Sequence, residues 1–168
     1  MTRYAAFLRG INVGKTKRVK IEDIRSMLGR SFGDVRAYGQ SGNFVFDSDA
    51  DKGDIVSTIE SGLEENFGFS AFCVVRTISE LQKIVDGNPF PDAGTDELFF
   101  IFMNEATSSH DDEWEHNEDA AKRINDIVYL NCKSEYHRTK LSNSFFEKEL
   151  GVVCTARNWN TVNAVLKL

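Results

Sequence analysis

A chain of 168 residues, 41% apolar and 27% charged, has the length of one domain or of two small repeats sharing a core, and the make-up of a soluble globular protein. Its formal charge of −6 excludes a non-specific nucleic-acid binder that works by bulk positive charge. No apolar run approaches the roughly 20 residues of a membrane span, and the opening MTRYAAFLRGIN meets Arg9 too early for a secretory signal.

The apolar run YAAFL predicts a strand at about 3–9, and Ile21, Ile24 and Leu28, at i, i+3 and i+7, predict a helix at 20–29. Strands follow near 34–39 and 43–47, with a hairpin turn at Ser41-Gly42. Ile55, Ile59, Leu63 and Phe67 mark a helix near 54–67, and AFCVV a strand at 71–75. Thr77 and Glu80 form a capping box that opens a helix to about Val85. Both prolines of the chain lie in DGNPFPDAGTD, which therefore reads as a connector. A strand at 97–103, an acidic helix near 111–122, strands near 126–131 and 134–139, a helix at 143–150, a strand at 152–156 and a helix from Asn158 complete the order.

Each half thus reads β-α-β-β-α-β plus one further helix, the order of a ferredoxin-like unit. A shift of 81 positions lays Arg76, Ile78, Leu81 and Val85 onto Arg157, Trp159, Val162 and Leu166, as a duplication would. The expectation is an α+β protein of two tandem ferredoxin-like repeats, 1–86 and 97–168, joined by a connector at 87–96 in one compact unit.

Charge is unevenly spread. Residues 1–36 hold nine Lys or Arg against three acids, for +6, which leaves −12 on the remainder. The basic fifth is suited to a local anion site. GINVGKT, Gly10–Thr16, resembles a phosphate-cradling P-loop but has one residue too few between its glycines, which changes the nest of backbone N–H groups. GQSG, Gly39–Gly42, is shorter than a nucleophile elbow and joins strand to strand. An RNA-recognition reading places Phe7 and Phe44 as stacking aromatics, though the longer motif of that fold is missing its basic-glycine-aromatic opening.

RGINVG, QSGN and TARNWNT are rich in Arg, Asn, Gln, Ser and Thr and fall where strands end. Such groups hold a ligand through fixed hydrogen bonds, whereas acid–base work needs a carboxylate, His or Cys with a shifted pKa. Asn158 suits an N-cap accepting from the N–H of Asn160 or Thr161, and Arg157 beside that helix start suits a phosphate or carboxylate.

LRGINVG, YGQSGNFVF, RTKLSNSFFEKELGV and TARNWNTV together resemble the signature blocks of a bacterial family, domain of unknown function 1697. The resemblance implies a compact α+β fold built of ferredoxin-like halves and supplies no reaction. It places Arg9, Asn12, Gln40, Ser41, Asn43, Lys140, Asn143, Arg157, Asn158 and Asn160 on motif positions; Gly39 departs from it, where a bulkier apolar residue is expected.

Metal and cofactor are not expected. The six-residue gap between His110 and His116 puts their rings on different faces of a helix, and His137 reads as an exposed strand residue. The cysteines Cys73, Cys132 and Cys154 form no C-x-x-C pair, which suggests neither zinc nor disulfides and places the chain in the reducing cytoplasm. The leading expectation is a cytoplasmic binder of an anionic, phosphate-bearing ligand, nucleotide or nucleic acid. Arg9, Lys140 and Arg157 supply charge, and the three polar stretches converge on one pocket. The alternatives are a phosphoryl-group hydrolase or transferase that acts by positioning, and a structural role in which the motifs fix the junction between repeats.

Overall fold

The computed structural model of the chain describes residues 1–15, 18–105 and 112–168. Thr16 of the GKT triplet and His110 lie outside the described residues. The chain divides into two compact units, Met1–Lys83 with Ala164–Leu168, and Ile84–Asn163.

The first unit contains β1 (Thr2–Arg9), α1 (Ile21–Leu28), β2 (Gly33–Tyr38), β3 (Asn43–Ser48), α2 (Lys52–Phe67), β4 (Phe72–Thr77) and the start of α3 (Ile78–Asp86). Its antiparallel sheet has the order β2-β3-β1-β4. β1 is interior because Tyr4–Leu8 carries no charge and can be buried on both faces. One face of the sheet presents Tyr4, Ala6, Leu8, Phe44, Phe46, Cys73 and Val75 to Ile24, Met27 and Leu28 of α1 and to Ile55, Ile59 and Leu63 of α2. Each large side chain buried there stabilises by about 1.5–3 kcal/mol. Phe32 adds a stacked ring on Phe46 with centroids 4.3 Å apart. The capping box of α3 forms as expected: the Glu80 N–H donates to Thr77 Oγ1 (3.0 Å), and the Thr77 N–H donates to a Glu80 carboxylate oxygen (2.8 Å).

The second unit contains β5 (Leu98–Met103), β6 (Glu113–His116), β7 (Asp119–Ile124), β8 (Ile127–Asn131), α4 (Asn143–Leu150), β9 (Cys154–Asn158) and the first part of α5 (Trp159–Leu166). Its antiparallel sheet has the order β6-β7-β8-β5-β9. Here the structure corrects two expectations. Residues 113–124 form a hairpin, not the acidic helix expected near 111–122, so among the described residues this unit runs β-β-β-β-α-β. The cause lies in period-two burial, alternating along Asp119–Ile124, and in two tight turns. His116 pairs with Asp119 and Ile124 with Ile127, and Asn117 (φ 55°) and Asn125 (φ 56°) take the left-handed conformation that two-residue hairpin loops require.

The second correction is SEYHRT, expected as a strand, which forms a short 3-10 turn at Tyr136–Arg138. Asp119 explains it. One carboxylate oxygen accepts from the Ser134 N–H (2.9 Å); the other accepts from the hydroxyls of Ser134 (2.5 Å) and Thr139 (2.8 Å). With its polar groups satisfied by a side chain, the segment gains nothing from joining a ladder.

Candidate anion-binding site

At the end of β1 the backbone turns through Gly10 (φ 81°), Asn12 (φ 52°) and Gly14 (φ 58°) and faces the β2–β3 turn, Gly39–Gly42. The Leu8 N–H donates to the Gly42 carbonyl at 2.8 Å. Gly42 (φ 86°) permits this approach: a Cβ there would lie 2.8 Å from Leu8 Cβ and 2.9 Å from Ile11 Cδ1. Gly39 (φ 67°) takes the left-handed conformation that glycine adopts without strain. Asn43 is buried, and its amide donates to the Tyr38 carbonyl and to Ser41 Oγ, both at 3.0 Å. It closes the turn from within.

Asn12 ties the loop to the turn. Its Nδ2 donates to the Gln40 carbonyl (2.9 Å), and its Oδ1 accepts from the Val19 N–H (2.8 Å). Between loop and turn lies a cleft of about 510 Å³ lined by Asn12, Arg18, Val19, Lys20, Gln40 and Ser41. Two of the three polar stretches, RGINVG and QSGN, therefore meet.

The basic first fifth sorts into two sets. Arg3 pairs with Asp34 and Asp47, Arg25 with Glu22 and Arg36 with Asp34. Lys15, Arg18 and Lys20 are exposed and make no ion pair among the described residues. Arg9, named from the sequence, ends β1 half-buried opposite Phe72 and does not line the cleft. Arg18 and Lys20 fall outside the polar motifs of the sequence; their signal is KTKRVK, a basic run ahead of the first apolar period.

The look-alike motifs resolve on the same geometry. After GINVGK the backbone is not helical at residues 18–20, and α1 starts only at Ile21. Phe7 and Phe44 are both 0% exposed, so neither offers a face to a base.

TARNWNT belongs to the second unit. Asn158 Oδ1 accepts from the Thr161 N–H at 2.8 Å, the expected N-cap. Arg157 is 8% exposed; its Nη1 donates to Thr155 Oγ1 (2.7 Å) and to the Ala156 carbonyl (2.9 Å). Burial pulls its guanidinium down to about 10, still charged at neutral pH. Asn143 opens α4 and donates to the Cys154 carbonyl at 2.8 Å, while its Oδ1 is buried with no hydrogen-bond partner among the described residues. Lys140 and Asn160 are exposed. Among the described residues no group of three His, Cys, Asp or Glu is placed to hold a metal, and no helix is long and apolar enough to cross a membrane.

The profile of a family described as "Protein of unknown function (DUF1697)" matches residues 1–132. The chain belongs to this DUF1697 family. The match includes RGINVG and QSGN and therefore the whole cleft; RTKLSNSFFEKELGV and TARNWNTV lie beyond the matched residues. A solved structure of conserved bacterial protein SP0830 from Streptococcus pneumoniae is similar over 99% of this chain and 97% of its own, with a TM-score of 0.75 at 22% identity. At that identity the likeness concerns the fold. No curated protein matches the chain.

Proposed function

We propose that this protein is cytoplasmic and binds an anionic, phosphate-bearing ligand in the cleft that Asn12 and residues 18–20 form with the Gly39–Gly42 turn. The observation that carries the reading is the pair of exposed cations lining the cleft, Arg18 and Lys20, without carboxylate partners among the described residues, in a region whose other arginines are largely paired. Unneutralised charge at a concave surface concentrates anions. The described lining contains no carboxylate, His or Cys, which favours binding over acid–base chemistry. Titration calorimetry at low salt against phosphate compounds, nucleotides and short RNAs tests the reading. Binding that falls at least about tenfold in Arg18→Ala/Lys20→Ala is expected from two lost charge-assisted contacts. Absence of heat from every compound ends it.

Arg157 favours a second reading for its own segment. With Nη1 bound to Thr155 and Ala156, it pins the end of its own strand β9, so Arg157→Ala lowers thermal stability.

We also infer that the two sheets descend from a duplicated ferredoxin-like unit. In support, β7-β8-β5-β9 repeats the chain-order pattern of β2-β3-β1-β4. The 81-residue shift also carries Cys73 onto Cys154: a helix glutamate, Glu60 or Glu147, accepts the N–H of each at 3.1 Å. Arg76 and Arg157, at the same shift, are each 8% exposed and donate to the preceding carbonyl, at 3.0 and 2.9 Å.

A further inference from the structure

We infer that the ligand is a small phosphorylated polyol, a sugar phosphate, recognised through its phosphate and hydroxyls and not through a nucleobase; this rests on the anion-binding reading above. Three observations divide the ligand between them. First, Arg18 and Lys20, exposed and without ion pairs among the described residues, supply the phosphate contact. A guanidinium forks onto two phosphate oxygens, and an ammonium adds a point charge.

Second, the amides of the cleft have different duties. That of Asn12 is committed on both sides, to the Gln40 carbonyl and the Val19 N–H, so it shapes the cleft and has little left to offer a ligand. The side-chain amide of Gln40 forms no hydrogen bond with any described residue. It presents two donors and an acceptor. Hydroxyl groups both donate and accept, which matches that inventory.

Third, the described lining contains no aromatic ring; its one apolar member is Val19. Protein sites for single bases rely on stacking against aromatic or guanidinium planes. Phe7 and Phe44 are buried, and Arg18 is assigned to phosphate. A cleft of about 510 Å³ falls within the ordinary range for small-ligand sites. The described lining holds two cations, Arg18 and Lys20, on a chain of net charge −6, too few for a polynucleotide track, where affinity grows with the number of phosphates neutralised.

Calorimetry on the full chain at low salt, with inorganic phosphate, ribose 5-phosphate, glucose 6-phosphate, adenosine monophosphate and a short oligoribonucleotide, tests the inference. A sugar phosphate is expected to bind at least about tenfold tighter than phosphate, from hydroxyl contacts that phosphate does not offer, with the adenine adding less than about threefold. Gln40→Leu, on an exposed turn, should abolish the preference for sugar phosphate over phosphate and leave thermal stability unchanged. Adenosine monophosphate or the oligoribonucleotide binding more than about tenfold tighter than ribose 5-phosphate overturns the inference and leaves the anion reading standing. A Gln40→Leu variant that keeps the preference also overturns it. No binding by any compound overturns both.

Discussion

Three residues, Gly42, Asn43 and Asp119, set the local geometry, and each makes a distinct demand. Gly42 carries two constraints at once, a φ of 86° and a Cβ position 2.8 Å from Leu8. Gly42→Ala is therefore expected to destabilise by about 2–4 kcal/mol, combining backbone strain with an overpacked contact; the midpoint of urea unfolding measures it. Asn43, 1% exposed, places its amide between the Tyr38 carbonyl and Ser41 Oγ. Removing it in Asn43→Ala leaves that carbonyl without its donor, at a cost of about 1–3 kcal/mol. Asp119 is a matter of pH. Burial raises its pKa, but hydrogen bonds from the Ser134 side chain and backbone, the Thr139 hydroxyl and the Lys133 backbone outweigh that and hold the carboxyl below the usual range. A carboxyl whose folded pKa is depressed contributes stability that is present above its unfolded pKa of about 3.9 and is lost as pH falls through the folded value. Asp119→Asn should therefore be destabilised at neutral pH and lose less than the parent on acidification below about pH 4; thermal melts across pH 2–7 check the sign.

At the scale of elements, most of the first unit was legible. YAAFL pointed to a strand, and the i+4 ladder Ile55, Ile59, Leu63 to a helix face, and both pack into the core. The Thr77–Glu80 box announced α3 and is expected to contribute about 1 kcal/mol, lost in Thr77→Ala without change in ligand affinity. The hairpin at 113–124 was not legible, because acidic residues and one Trp fit a solvated helix as readily as an edge strand. What decides is the left-handed conformation at Asn117 and Asn125, which asparagine tolerates better than most residues and which strand pairing on both sides fixes here. SEYHRT failed for a related reason: its fate depends on Asp119, a residue distant in the chain. Of the site, the sequence exposed the loop and the turn through their polar letters. It did not reveal that Asn12 and Asn43 spend their amides on the backbone, nor that Arg18 and Lys20 escape neutralisation, since pairing is set by which acids the fold brings near.

For the whole molecule, the acidic chain and its small cationic patch act in opposition. Distant negative charge is screened beyond about 10 Å at 0.1 M salt, while contact attraction persists longer. Ligand affinity should fall with added salt, and charge reversal in Arg18→Glu/Lys20→Glu should abolish binding without loss of fold, read by calorimetry and circular dichroism together. The thiols are a second global reporter. Cys73, Cys132 and Cys154 are buried thiols outside any disulfide among the described residues, and for Cys73 burial, aided by the charge of Glu60, pushes the thiol well above its ordinary value. A thiol reagent should therefore find three slow cysteines in the native protein and three fast ones in urea; fast reaction under native conditions would contradict the packing.

The link between Asn12 Oδ1 and the Val19 N–H (2.8 Å) has one more use. Because that amide proton is held by a side chain rather than by a ladder or helix, its exchange with deuterium depends on whether the loop stays latched to the turn. Val19 is thus a built-in gauge of the cleft. Its exchange should slow when the cleft fills and quicken when Asn12 is replaced by Ala, so a single resolved backbone signal can report occupancy without any label.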